Sequence, residues 1–147
     1  MGSSMLKFAV AVLLSLAQLS SLGSGLPQIL TPHFKAAGPV RAGKKTEIIV
    51  SFSALSDYRI DRLLPISLKL TPAAGVMLPK TEIKVSGDDP KSNDGYYVDL
   101  PTLKIPLSVA RAGKYEIPGK LTYFFCSEKD GFCSRQILDV KVPITAQ

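Results

Sequence analysis

The chain has 147 residues, with 18 lysines and arginines against 12 aspartates and glutamates and a formal net charge of +6 at pH 7. The basic residues are scattered among acidic ones rather than grouped in a stripe with aromatic residues, so no nucleic-acid binding is expected. Two cysteines and one histidine are too few soft ligands for a four-ligand zinc site, and we expect no metal site and no other cofactor.

The first predicted element is a secretory signal peptide over residues 1–25. Lys7 precedes the apolar run FAVAVLLSLAQL, and the small-residue stretch SSLGSG follows it, which is the layout of a cleaved signal. The run of about a dozen residues is shorter than the roughly 20 that a membrane span needs. An uncleaved N-terminal anchor is the alternative. Cleavage would leave residues 26–147 as a single periplasmic or secreted domain with no membrane span.

Period-two alternation of apolar side chains runs through residues 26–147 and predicts β-strands with one buried face. Pro, Gly, Asn and Asp cluster between the runs, and only SALSDYRIDRLL, residues 53–64, is compatible with a helical turn. Seven or eight short antiparallel strands at this spacing predict an all-β fold, an immunoglobulin-like β-sandwich. In chain order the alternating runs are 48–52, 66–70, 82–85, 103–107, 114–117, 121–125 and 138–144.

Strand parity predicts where the two cysteines point. If the apolar residues of 121–125 face the core, side-chain alternation sends Cys126 to the outer face. The same count back from 138–144 places Cys133 and Arg135 on the outer face, provided that no β-bulge intervenes. We therefore expect the two cysteines to face each other near the tip of one hairpin, within reach of a disulfide.

Secretion and an even cysteine count indicate a disulfide, and this bond is either a structural staple or one that a thiolate can attack. Arg135 favours the thiolate form of Cys133, but Glu128 and Asp130 oppose it and Lys129 offsets only one of them, so no strong activation is expected. The neighbouring Phe132 supplies an apolar surface that shields the sulfur or meets a partner. The remaining alternative to the expected absence of a metal is a copper(I) site built from both cysteines and Met77, although Met77 in GVMLP is more simply a core or loop methionine. Hydrolytic catalysis is not expected, because nothing in the pattern brings a nucleophile close to His33.

The segments GYYVDLPTLKIPL (95–107) and AGKYEIPGKLTYFFCSEKDGFCSRQILDVKVPI (112–144) carry a family resemblance. A tyrosine-bearing strand runs into a cysteine, a short polar loop leads to GFC, and the last strand ends in VPI. This part of the chain resembles the N-terminal periplasmic domain of the bacterial thiol:disulfide interchange protein DsbD. The resemblance implies an immunoglobulin-like domain whose redox pair is Cys126 and Cys133. It also implies that Cys133 forms the mixed disulfides with partners.

In that family the pair receives electrons from a thioredoxin-like domain and passes them to periplasmic disulfide-carrying proteins. The resemblance further implies that Phe132 packs beside the reactive sulfur and that a cap loop with an aromatic residue covers the cysteines. Residues 88–99, DDPKSNDGYYVD, lie in the corresponding region and offer Tyr96 or Tyr97, although the loop's usual motif is absent. The six residues between the cysteines are one more than in the best-known member. Because the following membrane-embedded and thioredoxin-like domains are not in this sequence, partners in trans are expected.

Two functions therefore remain open. The first is a monomeric thiol-disulfide exchange domain, a protein-disulfide reductase component that passes electrons between thioredoxin-fold partners without a cofactor. The alternative is a non-catalytic β-sandwich binding or adaptor module with a structural disulfide. The reduction potential separates them, because exchange proteins have potentials of about −120 to −270 mV and structural disulfides fall below about −300 mV.

Overall fold

A computed structural model describes residues 25–147, so the predicted signal peptide lies, apart from Gly25, outside the described residues. Among residues 25–147 no helix is long and apolar enough to cross a membrane. This part of the chain forms nine strands: β1 (Leu30–Ala36), β2 (Thr46–Ala54), β3 (Tyr58–Ile60), β4 (Ile66–Leu70), β5 (Val76–Met77), β6 (Glu82–Val85), β7 (Leu103–Val109), β8 (Gly113–Ser127) and β9 (Cys133–Ala146).

The strands form two antiparallel sheets that pack face to face as an immunoglobulin-like β-sandwich. One sheet has the order β1-β2-β7-β5. The other is built around β8, which pairs with β9 along one side and with β4 and then β3 along the other, while β6 pairs with the far side of β4. The all-β, immunoglobulin-like prediction is confirmed.

The core lies between the two sheets and consists of the inward-facing positions that alternation predicts. Burying each large apolar side chain stabilises the fold by roughly 1.5–3 kcal/mol. The largest fully buried side chains come from both sheets and from the residue before β1: Tyr123, Phe125, Ile29, Leu30, Ile48, Ile66, Leu68, Leu103, Ile105, Leu107, Ile117 and Leu121.

Strand β8 joins two runs that the sequence separates at Pro118 and Gly119. Pro118 has no N–H to donate, but it lies just beyond the last pair of β4 with β8, Leu70 with Gly119. Its carbonyl accepts from Thr71 N at 2.8 Å, and on its other side it stays in register opposite Lys141 of β9. Gly119 lies so close to β4 that a Cβ atom would stand 2.9 Å from the Lys69 carbonyl oxygen. The proline and the glycine therefore fit inside a 15-residue strand.

The helical turn considered for residues 53–64 is wrong. Strand β2 ends at Ala54, the chain turns at Asp57 with a φ of 71°, and β3 then pairs with the end of β8. After β3 the Asp61 Oδ1 atom accepts the backbone N–H groups of Leu63 at 2.7 Å and Leu64 at 2.9 Å. Pairing with β8 and this Asx turn satisfy the backbone without a helix.

Candidate functional site

The site centres on a disulfide between Cys126 and Cys133 at the tip of the β8–β9 hairpin. The two strands pair in unbroken register along their whole length, and the cysteines are directly opposite each other with Cα atoms 4.0 Å apart. The next pair, Ser127 and Phe132, is hydrogen-bonded, with Ser127 N donating to Phe132 O at 2.7 Å. The cysteines therefore occupy a non-hydrogen-bonded position, where opposite side chains approach most closely. Because no bulge intervenes, the predicted outward parity of both cysteines is confirmed.

The turn beyond the disulfide is closed by local hydrogen bonds. Asp130 N donates to Ser127 Oγ at 3.0 Å, and Gly131 N donates to Ser127 O at 3.0 Å. Gly131 has a φ of 68°, which glycine adopts at little cost. This turn brings Cys133 back opposite Cys126.

The two sulfur-bearing residues differ in their surroundings. Cys126 is half-buried because β8 has neighbours on both sides, with Arg59 of β3 directly opposite it. Cys133 is exposed, since it begins β9, which among the nine described strands pairs with β8 alone. The Cys126 end of the disulfide thus lies beside β3, and the Cys133 end lies at the edge of the sheet.

The side chain of Tyr96 contacts the disulfide. Its hydroxyl donates a hydrogen bond to Cys126 Sγ at 3.2 Å, and the Arg59 guanidinium carbon lies 4.7 Å from the centre of its ring. Arg59 also forms ion pairs with Asp94 at 3.1 Å and Glu128 at 3.0 Å. Residues 88–99 therefore bring an aromatic residue to Cys126.

Tyr97 occupies a different environment from its neighbour. Its side chain packs against the core, and its hydroxyl has no hydrogen-bond partner within residues 25–147. Burial raises the pKa of this phenol. Of the two tyrosines proposed for the cap, the structure brings only Tyr96 to the sulfur.

The Asp89 carboxylate fixes both ends of the segment that carries Tyr96. It is 7% exposed and accepts the backbone N–H groups of Lys91 at 3.0 Å, Val98 at 2.7 Å and Asp99 at 2.8 Å. These bonds, that from Asp99 foremost, hold the pKa of Asp89 below its usual range, although burial opposes the shift. The carboxylate form of Asp89 therefore holds the two ends of this loop, Lys91 and residues 98–99, together.

Arg62 joins the same loop to the end of β3. Its Nε donates to Asp94 O at 2.6 Å and its Nη1 to Gly87 O at 3.4 Å. Its own N–H and carbonyl pair with Gly95 O at 2.9 Å and Gly87 N at 2.8 Å. The sequence analysis did not identify Arg59, Arg62, Asp89 or Asp94 as parts of the site. The alternation in YRID, with Tyr58 and Ile60 inward, is the signal that would have placed Arg59 outward.

Phe132 and Arg135 lie on opposite sides of the hairpin. Phe132 packs against the core with its ring centre 6.1 Å from that of Phe125, so it supports the tip from within instead of covering the sulfur. Arg135 is exposed, lies opposite Phe124 and is on the same face as Cys133, as expected.

A surface groove of about 360 Å³ runs beside the disulfide. Leu64 and Phe124 supply apolar walls, and Asp61 and Arg135 supply charges of opposite sign. Its complete lining is Asp61, Leu64, Tyr96, Phe124, Phe125, Cys126, Cys133, Ser134 and Arg135.

The structure does not bring Met77 or His33 to the cysteines. Met77 lies on β5 and is 70% exposed, and His33 lies on β1 with its Nε2 atom 2.9 Å from Ser53 Oγ. Both strands belong to the other sheet, so the copper(I) grouping with Met77 is not formed. Within residues 25–147 no cluster of three or more His, Cys, Asp or Glu side chains has an arrangement that could hold a metal ion.

The fold and the site define an immunoglobulin-like β-sandwich with a disulfide on the outer face of its β8–β9 hairpin. No family model matches the chain, and no curated protein matches it. The chain is similar to the solved structure of a cohesin module from the family 33 glycoside hydrolase of Clostridium perfringens ATCC13124. The similarity covers 82% of this chain and 100% of that one, with 12% sequence identity and a TM-score of 0.42. A similarity this weak carries no argument about function.

Proposed function

We propose that the chain is a periplasmic or secreted thiol-disulfide exchange domain related to the N-terminal domain of DsbD. In this proposal, the Cys126–Cys133 pair passes electrons between thioredoxin-fold proteins in trans. The observation that carries the proposal is the position of the disulfide on the outer face of the sheet, with one sulfur-bearing residue exposed at the edge.

The direction of attack on the disulfide follows from its position. The disulfide joins Cys126 of β8 to the opposite Cys133 of β9, and within residues 25–147 no strand pairs with the far side of β9. A nucleophile in line with the S–S bond therefore reaches Cys133 from that side. The corresponding path to Cys126 comes from the side of β3, where Arg59 and Tyr96 lie. Cys133 is therefore the sulfur that partners attack.

Reduction of the domain proceeds by two exchanges. A thiolate of a donor dithiol bonds to Cys133 Sγ, the bond to Cys126 breaks, and its electron pair leaves Cys126 as a thiolate that takes a proton from water. The donor's second thiolate then attacks the donor sulfur of this mixed disulfide, which closes the donor's disulfide and releases Cys133. With an oxidised acceptor the Cys133 thiolate attacks and Cys126 resolves, so two electrons pass on without a cofactor.

The equilibrium reduction potential of residues 26–147 tests this proposal. Thiol trapping across a glutathione or dithiothreitol series should give a potential between about −120 and −270 mV. In extracts of the source cell, Cys126→Ser should accumulate mixed disulfides on Cys133, and the matched variant Cys133→Ser should accumulate far fewer. A potential below about −300 mV, or equal trapping by both variants, would contradict the proposal.

One feature favours the alternative of a binding or adaptor module with a structural disulfide. The outer face of the other sheet has an apolar groove of about 510 Å³ whose lining includes Met77, Leu78, Pro79 and Pro106. Apolar clefts of this size are common ligand sites. A reduction potential below about −300 mV would favour the binding or adaptor function, with this groove as the candidate binding site.

A further inference from the structure

Resting on the exchange function proposed above, we propose that Tyr96 is a catalytic residue. Its hydroxyl donates a hydrogen bond to Cys126 Sγ as that sulfur leaves, while Arg59 and Asp94 are positioning residues that hold the phenol in place.

The contact is already formed before the reaction. The Tyr96 hydroxyl lies 3.2 Å from Cys126 Sγ, but a neutral sulfur accepts hydrogen bonds weakly. When a thiolate attacks Cys133, negative charge develops on Cys126, and the same hydrogen bond becomes charge-assisted and stronger. An interaction that is stronger in the transition state than in the resting disulfide accelerates the step.

The backbone of Tyr96 is fixed in three ways. It forms an isolated β-bridge with Asp61, the following Tyr97 N donates to Ile60 O at 2.9 Å, and Tyr96 N donates to Asp94 Oδ1 at 3.0 Å. The hydroxyl therefore needs no large rearrangement to meet the developing charge, which is the condition for effective electrostatic stabilisation.

Arg59 holds the ring of the same tyrosine. Its guanidinium lies against the ring at 4.7 Å, and its ion pairs with Asp94 and Glu128 fix its position. The Asp94 carboxylate thus contacts both the backbone of Tyr96 and the cation on its ring. Its backbone hydrogen bond to Tyr96, with smaller contributions from Ser92, Arg59 and Arg62, keeps the pKa of Asp94 lowered, although burial opposes the shift.

The charges around Cys126 leave the hydroxyl as the group that can stabilise a thiolate. The positive charge of Arg59 is offset by Asp94 and Glu128, and Asp61 and Arg135 line the groove with opposite signs. These neighbouring charges therefore offset one another in pairs. The Tyr96 hydroxyl, 3.2 Å from Cys126 Sγ, acts on the developing thiolate through its hydrogen bond.

The test measures the Cys126 thiol alone, in the Cys133→Ser variant of residues 26–147. The rate of alkylation by iodoacetamide as a function of pH gives the titration midpoint of this thiol. Adding Tyr96→Phe should raise the midpoint by about one pH unit, a tenfold loss of thiolate at neutral pH. Tyr97→Phe is the matched control, because it removes a hydroxyl that does not contact the sulfur, and it should leave the midpoint unchanged. An unchanged midpoint in Tyr96→Phe would overturn the proposal.

Arg59→Gln in the same background tests the positioning role. If Arg59 acts through the tyrosine, the substitution should raise the midpoint in the presence of Tyr96 and add nothing once Tyr96→Phe is present. Additive shifts would show that Arg59 acts by its own charge and would overturn this part of the proposal.

Reduction of the intact disulfide by dithiothreitol supplies the kinetic readout. Tyr96→Phe should slow the reaction about tenfold, whereas a tyrosine that only shields the sulfur would leave the rate unchanged or increase it and so overturn the proposal. The reduction potential of the unsubstituted domain decides the exchange function separately, because the Cys126 midpoint is measured whether or not the pair exchanges with partners.

Discussion

Reducing the disulfide is expected to lower the free energy of unfolding by about 2.5 kcal/mol and to leave the domain folded. The two cysteines are separated by 7 in sequence, and closing so short a loop removes little entropy from the unfolded chain. The paired backbones of β8 and β9 continue for more than ten residues beyond the cysteines, and Tyr123 and Phe125 stay buried beneath the hairpin. A domain of this size has about 5–15 kcal/mol of stability, so most of the fold's stability remains after reduction.

Urea unfolding with and without dithiothreitol, followed by circular dichroism, measures this difference. A double variant with Ser at Cys126 and Cys133 should match the reduced protein, since it lacks the same cross-link. By linkage, about 2.5 kcal/mol corresponds to about 50 mV. The reduction potential of the pair should therefore be about 50 mV lower in the folded domain than in the unfolded chain. Loss of the cooperative transition on reduction would refute the reasoning and show that the bond is a structural staple, because an electron carrier must keep its fold in both redox states.

Two further predictions concern the supports of the site. Gly119→Ala should lower the free energy of unfolding by about 1–3 kcal/mol in the same urea assay, because the new Cβ would meet the Lys69 carbonyl oxygen. Gly38→Ala is the control and should be close to neutral, since no atom of the described residues beyond its chain neighbours lies within 4 Å of its new Cβ. Equal stabilities of the two variants would contradict the packing argument. Backbone hydrogen bonds lower the pKa of Asp89 in the folded protein, so its stabilising contribution is present above the unfolded carboxyl pKa and is lost as the pH falls through the lowered value. Thermal unfolding from pH 7 to pH 2 should therefore be less acid-sensitive in Asp89→Asn than in the exposed-neighbour control Asp88→Asn, and parallel profiles would refute this role.

The part of the site that the sequence predicted is the part set by a single hairpin. Parity carries from the buried residues of β8 to Cys126 and from those of β9 to Cys133 because the register between the strands is unbroken. Each step in that inference depends only on neighbours along the strand. The outward position of both cysteines and of Arg135 could therefore be derived without knowing the sheet order.

The strands that the sequence missed are those in which local signals are weak or conflicting. Strand β1 contains Pro32 and lies at the edge of its sheet, where proline is tolerated. Strands β3 and β5 have three and two residues, too few to display alternation. Pro118 and Gly119 resemble a turn, and only the end of β4 and its close approach to β8 explain why the strand continues through them.

The contacts of Tyr96 depend on chain segments that lie far apart in sequence. Arg59 and Cys126 become neighbours only because β3 pairs with the end of β8. Arg62 and Asp89 then determine the path of the loop across β3. No local sequence pattern specifies the contact between Tyr96 and Cys126. The family resemblance therefore offered Tyr96 and Tyr97 as candidates, and the sequence could not choose between them.

The edge position of β9 makes the two sulfurs of the resting disulfide unequally accessible. Tyr96 contacts Cys126 on the side of β3, whereas the in-line path to Cys133 lies beyond the opposite edge of the hairpin. A thiolate in solution can therefore attack Cys133 without displacing the loop, and the loop can keep its hydrogen bond to Cys126 Sγ throughout the step. We accordingly expect Asp89→Asn, which weakens the hydrogen bonds that hold both ends of the loop, not to increase the rate of reduction by dithiothreitol. A rate that rises by more than about tenfold would show instead that the loop must open before Cys133 reacts.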